Sequence, residues 1–185
     1  MNELNLTLYK KLFLIRKSED EICARYMQDE MKTPMHMSMG GEAISSGVCH
    51  ALSKEDQVLG TYRTHALYLA KTGETDQFFA EMYGRKTGMV NGKGGSMHLI
   101  APDCGLISTS AIVATGIPVG VGAAFANKTK KNGKITAVFF GDGAIDEGVF
   151  WESVNVASLM KLPIIFVCED NGCLLYTSPS PRDKR

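Results

Sequence analysis

Two short apolar segments, each followed at once by acidic or amide residues, constrain this sequence more than any other feature. Residues 135–140 read ITAVFF and precede the turn GDG, and residues 164–169 read IIFVCE and precede DNG. Uninterrupted apolar runs of this length are typical of strands buried on both faces of a parallel sheet. Residues 149–160 carry apolar side chains at helical spacing between the two runs. The sequence therefore predicts a right-handed β–α–β unit with parallel strands.

The segments before this unit carry further helix and strand signals. Apolar residues recur at helical spacing through the first thirty residues, until Pro34 breaks the pattern. Thr64 or Thr75 is expected to cap the helices that follow each of them. We predict a helix at 42–52, a strand at 58–62, a surface loop at 84–95 and a closely packed helix at 112–126, rich in small residues. The predicted fold class is α/β, with a doubly wound parallel sheet.

Composition excludes several functional classes. Lys plus Arg and Asp plus Glu number 20 each, so the chain lacks the basic surface expected of a protein that binds nucleic acid or an anionic membrane. No apolar run is long enough to cross a bilayer. The five cysteines are scattered without metal-ligand spacing, which favours reduced thiols and a cytoplasmic location.

The carboxyl ends of the two predicted strands bring polar residues together. Asp142 follows the first strand and Asn171 follows the second, and ligands of open parallel sheets bind at this edge. A carboxylate and an amide oxygen suit Mg²⁺, which completes its shell with phosphate oxygens and water. Gly141 and Gly143 allow close approach of a phosphate, and a helix beginning near Ala144 directs free N–H groups at it. A GDG alone is usually a turn, but this combination is far more specific.

Four blocks in a fixed order carry a resemblance to a known family. They are HMSMGGEA at 36–43, TYRTH at 61–65, GKGGSMHL at 92–99 and the segment from GDG to DNG at 141–172. The chain resembles the E1 α subunits of pyruvate, branched-chain 2-oxo acid and acetoin dehydrogenase complexes, which use thiamine diphosphate. Transketolases and pyruvate decarboxylases share the GDG–N pattern but not the GKGGSMH block.

The resemblance implies a site for Mg²⁺ and diphosphate. Asp142 and Asn171 look like the Mg²⁺ ligands, and the backbone carbonyl of Cys173, where the family usually has tyrosine, is the implied third ligand. Gly143 and Ala144 would hold the diphosphate through their backbone N–H groups.

The same resemblance implies contacts to the rest of the cofactor. Arg63 would pair with the diphosphate and Tyr62 would contact the cofactor. Ala111, where the family often has glycine, and Val113 align with backbone groups that bond the aminopyrimidine. His36 aligns with a histidine that faces the substrate and the reactive carbon. On residue type alone, such a histidine is more often structural than catalytic.

The implied activity is oxidative decarboxylation of a 2-oxo acid, or acetoin cleavage, with acyl transfer to a lipoyl-bearing E2 protein. The active site would lie at an interface with an E1 β subunit in an α2β2 heterotetramer. The alternative is a non-catalytic truncated fragment unable to assemble or bind cofactor. A nucleotide-binding domain would need GxGxxG after residues 135–140, where this sequence has GDGAID.

The two ends of the chain differ in character. Residues 1–172 are expected to form the N-terminal part of the E1 α thiamine-diphosphate-binding domain, with its sheet incomplete at the C-terminal end. Residues 173–185 read CLLYTSPSPRDKR and continue no apolar strand pattern. We interpret them as a tail foreign to the family, either a sequencing artefact or a disordered terminus.

Overall fold

A parallel sheet forms the centre of the molecule. The computed structural model describes residues 2–171. Its four strands are β1 (Gln57–Gly60), β2 (Leu106–Thr109), β3 (Thr136–Gly141) and β4 (Ile164–Glu169), in the spatial order β2-β1-β3-β4. All neighbouring strands pair in parallel. The prediction of an α/β fold with a parallel sheet is confirmed, whereas the interpretation of residues 173–185 falls outside the described part of the chain.

Helices connect the strands and cover the sheet. They are α1 (Glu3–Tyr26), α2 (Glu42–Ala51), α3 (His65–Thr72), α4 (Asp76–Met82), α5 (Gly116–Lys130) and α6 (Gly148–Leu159), with short 3-10 turns at Pro102–Cys104 and Asp142–Asp146. Within residues 2–171, no helix has the length and apolar content that a membrane span requires.

Two apolar cores lie on opposite faces of the sheet. Ala137 and Phe139 of β3 pack into a core with residues of α1 to α4, whereas Val138 and Phe140 pack into a second core with α5 and α6. Alternate side chains of a strand point to opposite faces, so β3 is buried on both sides. This arrangement confirms the doubly wound prediction.

Helix α5 begins later than its composition predicted. The predicted segment 112–126 becomes helical only from Gly116, because Ala114 adopts a left-handed conformation with φ of 65°. The close packing expected of its small residues is confirmed: a side-chain carbon on Gly120 would lie 3.2 Å from Cβ of Val138. The backbone of α5 therefore lies directly against β3.

The predicted threonine caps are wrong in their chemistry. Thr64 and Thr75 do occupy the N-cap positions of α3 and α4, but neither side chain makes a capping hydrogen bond. The Thr64 hydroxyl lies instead close to Gly60 at the end of β1, where it is buried without a hydrogen-bond partner among residues 2–171.

Candidate active site

A cleft of about 320 Å³ opens at the carboxyl ends of β1, β3 and β4. This is the edge at which open parallel sheets bind ligands. It is lined by Thr61, Tyr62, Arg63, Ser110, Ile112, Val113, Ala114, Phe140, Gly141, Asp142, Gly143, Ala144, Glu147, Glu169 and Asn171. The lining combines an apolar wall with carboxylate, amide and guanidinium groups.

Most of the residues singled out from the sequence meet in this cleft. Those that line it are Tyr62, Arg63, Val113, Asp142, Gly143, Ala144 and Asn171. Ala111 is exposed and does not line the cleft, although its neighbours Ile112 and Ala114 do. His36 lies beside the cleft, with its ring 4.9 Å from that of Tyr62.

The two candidate Mg²⁺ ligands come from adjacent strands. β3 and β4 pair along their length, so Gly141 lies opposite Glu169, with Asp142 and Asn171 just beyond. A side-chain carbon on Gly141 would meet no protein atom within 4 Å, so open space lies before this backbone. Within residues 2–171, no three His, Cys, Asp or Glu side chains cluster as a metal site. The carboxylate of Asp142 and the amide oxygen of Asn171 suit a Mg²⁺ ion whose remaining ligands are phosphate oxygens and water.

The predicted helix near Ala144 begins differently. Residues Asp142–Asp146 form a 3-10 turn, and α6 starts only at Gly148 after an extended Glu147. Glycine weakens helix propagation, so the GDGAIDEG segment does not form one continuous α-helix. The backbone N–H groups nearest Asp142 therefore belong to the 3-10 turn and not to the α6 N-terminus.

Arg63 connects the cleft with the segment before α2. Its Nη1 donates to the carbonyl oxygen of Met37 at 2.6 Å, and its backbone N–H donates to Thr61 Oγ1 at 3.1 Å. Arg63 also lines an adjoining pocket of about 400 Å³. Because a guanidinium carries several donors in a fixed fork, one bond to Met37 leaves others for an anion.

Glu169 is a site residue that sequence reasoning missed. It ends β4 and lines both pockets together with Arg63. Burial raises the pKa of Glu169 to about 7, and the positive charge of Arg63 opposes that rise. Its sequence signal was a carboxylate at the end of an apolar strand, directly before DN.

The surroundings of His36 near the cleft disfavour its charged form. Burial lowers the pKa of His36, with Arg63 and His65 acting in the same direction and the Pro34 carbonyl opposing them. Within the described residues, Nδ1 is buried and makes no hydrogen bond. A catalytic role is one of the explanations for a buried polar atom without a partner.

Comparison with known proteins identifies the family. The family model described as "Dehydrogenase E1 component" matches residues 10–183. The chain belongs to this family.

Curated relatives of this E1 component chain support the assignment. It is 37% identical over 170 residues to the alpha subunit of acetoin:2,6-dichlorophenolindophenol oxidoreductase from Bacillus subtilis, covering 92% of this chain and 51% of that protein. It is 39% identical over 183 residues to the pyruvate dehydrogenase E1 component subunit alpha of Porphyra purpurea, covering 92% and 53% respectively. The chain thus spans about half the length of these relatives.

A solved structure is also similar to this E1 component chain. It is described as a putative thiamin diphosphate-dependent enzyme from Mycobacterium smegmatis, with 15% sequence identity and a TM-score of 0.44. The match covers 76% of this chain and 21% of that one.

The glycine-rich loop at 84–95 is organised by Glu81, a second residue that sequence reasoning missed. Glu81 is fully buried, and its carboxylate accepts backbone N–H groups from Val90, Gly92, Gly94 and Gly95. The available signal was an acidic residue inside the apolar stripe of α4, next to Met82.

Proposed function

We propose that this chain is the N-terminal part of an E1 α subunit that binds thiamine diphosphate and Mg²⁺. With an E1 β subunit, it would catalyse oxidative decarboxylation of a 2-oxo acid, or cleavage of acetoin, using a lipoyl-bearing E2 protein as acyl acceptor. One observation carries the proposal: Arg63, Asp142 and Asn171 line the same cleft at the carboxyl ends of parallel strands.

Metal and diphosphate would be held by the polar side of the cleft. Asp142 and Asn171 offer the hard oxygen atoms that Mg²⁺ prefers. The backbone N–H groups of Gly143 and Ala144, in the first turn of a 3-10 segment, are placed to bind phosphate oxygens. Arg63 adds a permanent positive charge, which a diphosphate would offset.

The apolar side of the cleft would hold the organic part of the cofactor. Tyr62 and Val113 line it. The backbone of Val113, together with that of Ala111 just outside the cleft, would bond the aminopyrimidine. Thiamine diphosphate, when bound, supplies the carbon nucleophile and the electron sink for decarboxylation. His36, whose pKa is lowered by burial, would accept or donate a proton close to the substrate.

Partners and location follow from the same proposal. The β subunit would complete the active site by supplying the carboxylate that activates the cofactor, within an α2β2 heterotetramer. A cytoplasmic location is part of the proposal. A further relative, the pyruvate dehydrogenase E1 component subunit alpha of Saccharomyces cerevisiae, 37% identical over 175 residues, is by name mitochondrial.

One observation favours the alternative of a fragment that cannot bind cofactor. β4 is partly exposed along its length, whereas β3 is buried in all but its last residue. Strands of parallel sheets are usually covered on both faces, and among residues 2–171 β4 lacks the cover that β3 has.

Calorimetric titration of the chain with thiamine diphosphate and Mg²⁺, with and without a β subunit, tests the proposal. Asp142→Asn should weaken Mg²⁺-dependent binding at least about tenfold. Asp146→Asn is the matched control, since Asp146 lies in the same 3-10 turn but is exposed and outside the cleft. Equal affinity for Asp142→Asn would contradict the site, and no binding by the unmodified chain with its β subunit would support the fragment alternative.

A further inference from the structure

Three consecutive residues beside the cleft are held through their backbone by side chains from elsewhere. His36 N–H donates to Ser96 Oγ at 3.2 Å, and Ser38 N–H donates to Glu19 Oε1 at 3.1 Å. Between them, the Met37 carbonyl accepts from Arg63 at 2.6 Å. One backbone group in each of the three residues 36–38 is therefore held by a side chain.

His65 joins Ser96 and Glu19, the residues that accept the backbone N–H groups of His36 and Ser38. Its Nε2 lies 2.7 Å from Ser96 Oγ, and its Nδ1 lies 3.1 Å from Glu19 Oε1. Glu19, His65 and Ser96 are each 0% exposed. Hydrogen bonds thus form a closed, buried circuit that runs from segment 36–38 through all three side chains and back.

Donor counting assigns the hydrogen atoms of this circuit. The Glu19 carboxylate can only accept, so Nε2 of His65 is left to accept the hydroxyl hydrogen of Ser96, whose oxygen also accepts from His36 N–H. His65 then carries its hydrogen on Nδ1 and donates it to Glu19 Oε1, which accepts from Ser38 as well. In this arrangement every donor of the circuit has an acceptor.

A Ser–His–Glu arrangement of this kind can activate a serine nucleophile, but burial excludes that role. Ser96 is 0% exposed, so no substrate reaches its oxygen. What the circuit does contact is the backbone of His36, whose ring packs edge-on against Tyr62 at an interplanar angle of 65°.

We propose that Glu19, His65 and Ser96 are positioning residues that fix the His36 ring beside the cofactor cleft, an inference that rests on the proposed role of His36. The circuit links three separate parts of the chain: helix α1, the start of α3 and the end of the glycine-rich loop. Because those elements are packed in place, the hydrogen bonds of the circuit hold the backbone of His36, whose ring lies against Tyr62 at the cleft.

The first test needs no substitution in the circuit. Nitrogen-15 NMR of the histidine rings in the full chain distinguishes the two neutral tautomers, and the sequence has only four histidines to assign. Hydrogen on Nδ1 of His65 near neutral pH supports the proposed circuit. Hydrogen on Nε2 overturns it, because Ser96 would then lack an acceptor for its hydroxyl. Since this readout requires no cofactor, it remains decisive if the proposed enzymatic function fails.

The second test separates positioning from stability. Ser96→Ala removes the junction of the circuit, and Ser46→Ala is its matched control, because Ser46 is equally buried and its hydroxyl has no partner among residues 2–171. Ser96→Ala should shift the His36 ring resonances and, in the α–β assembly, lower kcat at least about tenfold with KM changed less than about threefold. Ser46→Ala should do neither.

Unchanged His36 resonances in a folded Ser96→Ala chain would overturn the proposal, as would equal effects of Ser46→Ala. Ser96→Thr, which keeps the hydroxyl, should restore the His36 resonances. If Ser96→Ala does not fold, the tautomer of His65 in the unmodified chain decides the question.

Discussion

Oε1 of Glu81 accepts the backbone N–H of Gly94 at 2.6 Å, so the glycine-rich loop closes around a buried carboxylate. Oε2 of the same residue accepts from Val90 and Gly92, each at 3.0 Å. A side-chain carbon on Gly88 would collide with Glu81, whereas one on Gly94 would collide with the Val90 side chain and the His98 carbonyl oxygen. Gly88 is therefore required by its close approach to Glu81 and Gly94 by the crowding within the loop itself, which ends at Ser96.

Replacing Glu81 tests this organisation. Glu81→Ala should lower the free energy of unfolding by about 3 kcal/mol or more, because several buried N–H groups lose a charged acceptor together. Glu74→Ala is the control, since Glu74 is exposed and should change stability by less than about 0.5 kcal/mol. Urea denaturation of both variants measures the difference, and similar losses would contradict the role of Glu81.

Gly120 and Gly122 of α5 should differ in how well they tolerate replacement by valine. Gly120 lies against Val138, whereas a side-chain carbon on Gly122 would meet no protein atom within 4 Å. Gly120→Val should therefore cost about 1–3 kcal/mol through overpacking, while Gly122→Val should stay within about 0.5 kcal/mol of the unmodified chain. Thermal or urea denaturation compares the pair, and equal stability of the two variants would show that α5 does not pack on β3 through Gly120.

The fold was predictable from sequence wherever burial leaves a long apolar pattern. β3 and β4 appeared as uninterrupted apolar runs, and α1 as a long periodic stripe. β2 was missed because the strand, which reads LIST, has only four residues and most of them are half-buried. The start of α5 was misplaced because the left-handed backbone of Ala114 leaves no mark in an Ile-Val-Ala-Thr sequence.

The residues of the candidate site also differ in whether they could be predicted from the sequence. Asp142 and Asn171 follow recognisable strands, so their meeting at one sheet edge could be predicted from chain order. Glu19 and Glu81 could not be assigned, because the Ser38 partner of Glu19 lies 19 residues away and the partners of Glu81 are backbone N–H groups of a loop 9 to 14 residues away. A buried carboxylate of this kind reads in sequence as an ordinary charged residue on a helix.

The reactivity of the cysteines should differ sharply. Burial raises the pKa of Cys49 to about 11, with Lys71 and Lys11 opposing the rise, whereas Cys23 is exposed. Since the thiolate is the reactive form, alkylation of Cys49 by iodoacetamide at pH 8 should be at least about a hundredfold slower than that of Cys23. Peptide mass spectrometry of timed samples measures both rates, and comparable rates would show that α2 is not packed as described.

Glu169 should make the stability of the chain fall as the pH rises. Its pKa is raised from 4.5 to about 7 in the folded chain, so between these values the folded state binds more protons than the unfolded state. Stability then decreases with pH across this window: the contribution of Glu169 is fully present below about pH 4.5, is lost as the pH approaches 7 and changes little above that.

The variant Glu169→Gln isolates this contribution, because glutamine keeps the size of the side chain without titrating. Carboxylates with lowered pKa, such as Asp56, give the opposite slope at lower pH in both proteins and cancel in the comparison. Urea denaturation from pH 4.5 to 8 should show the variant gaining stability relative to the unmodified chain until about pH 7. A difference that stays constant across this range would mean that Glu169 ionises freely and that burial at the end of β4 does not hold it protonated.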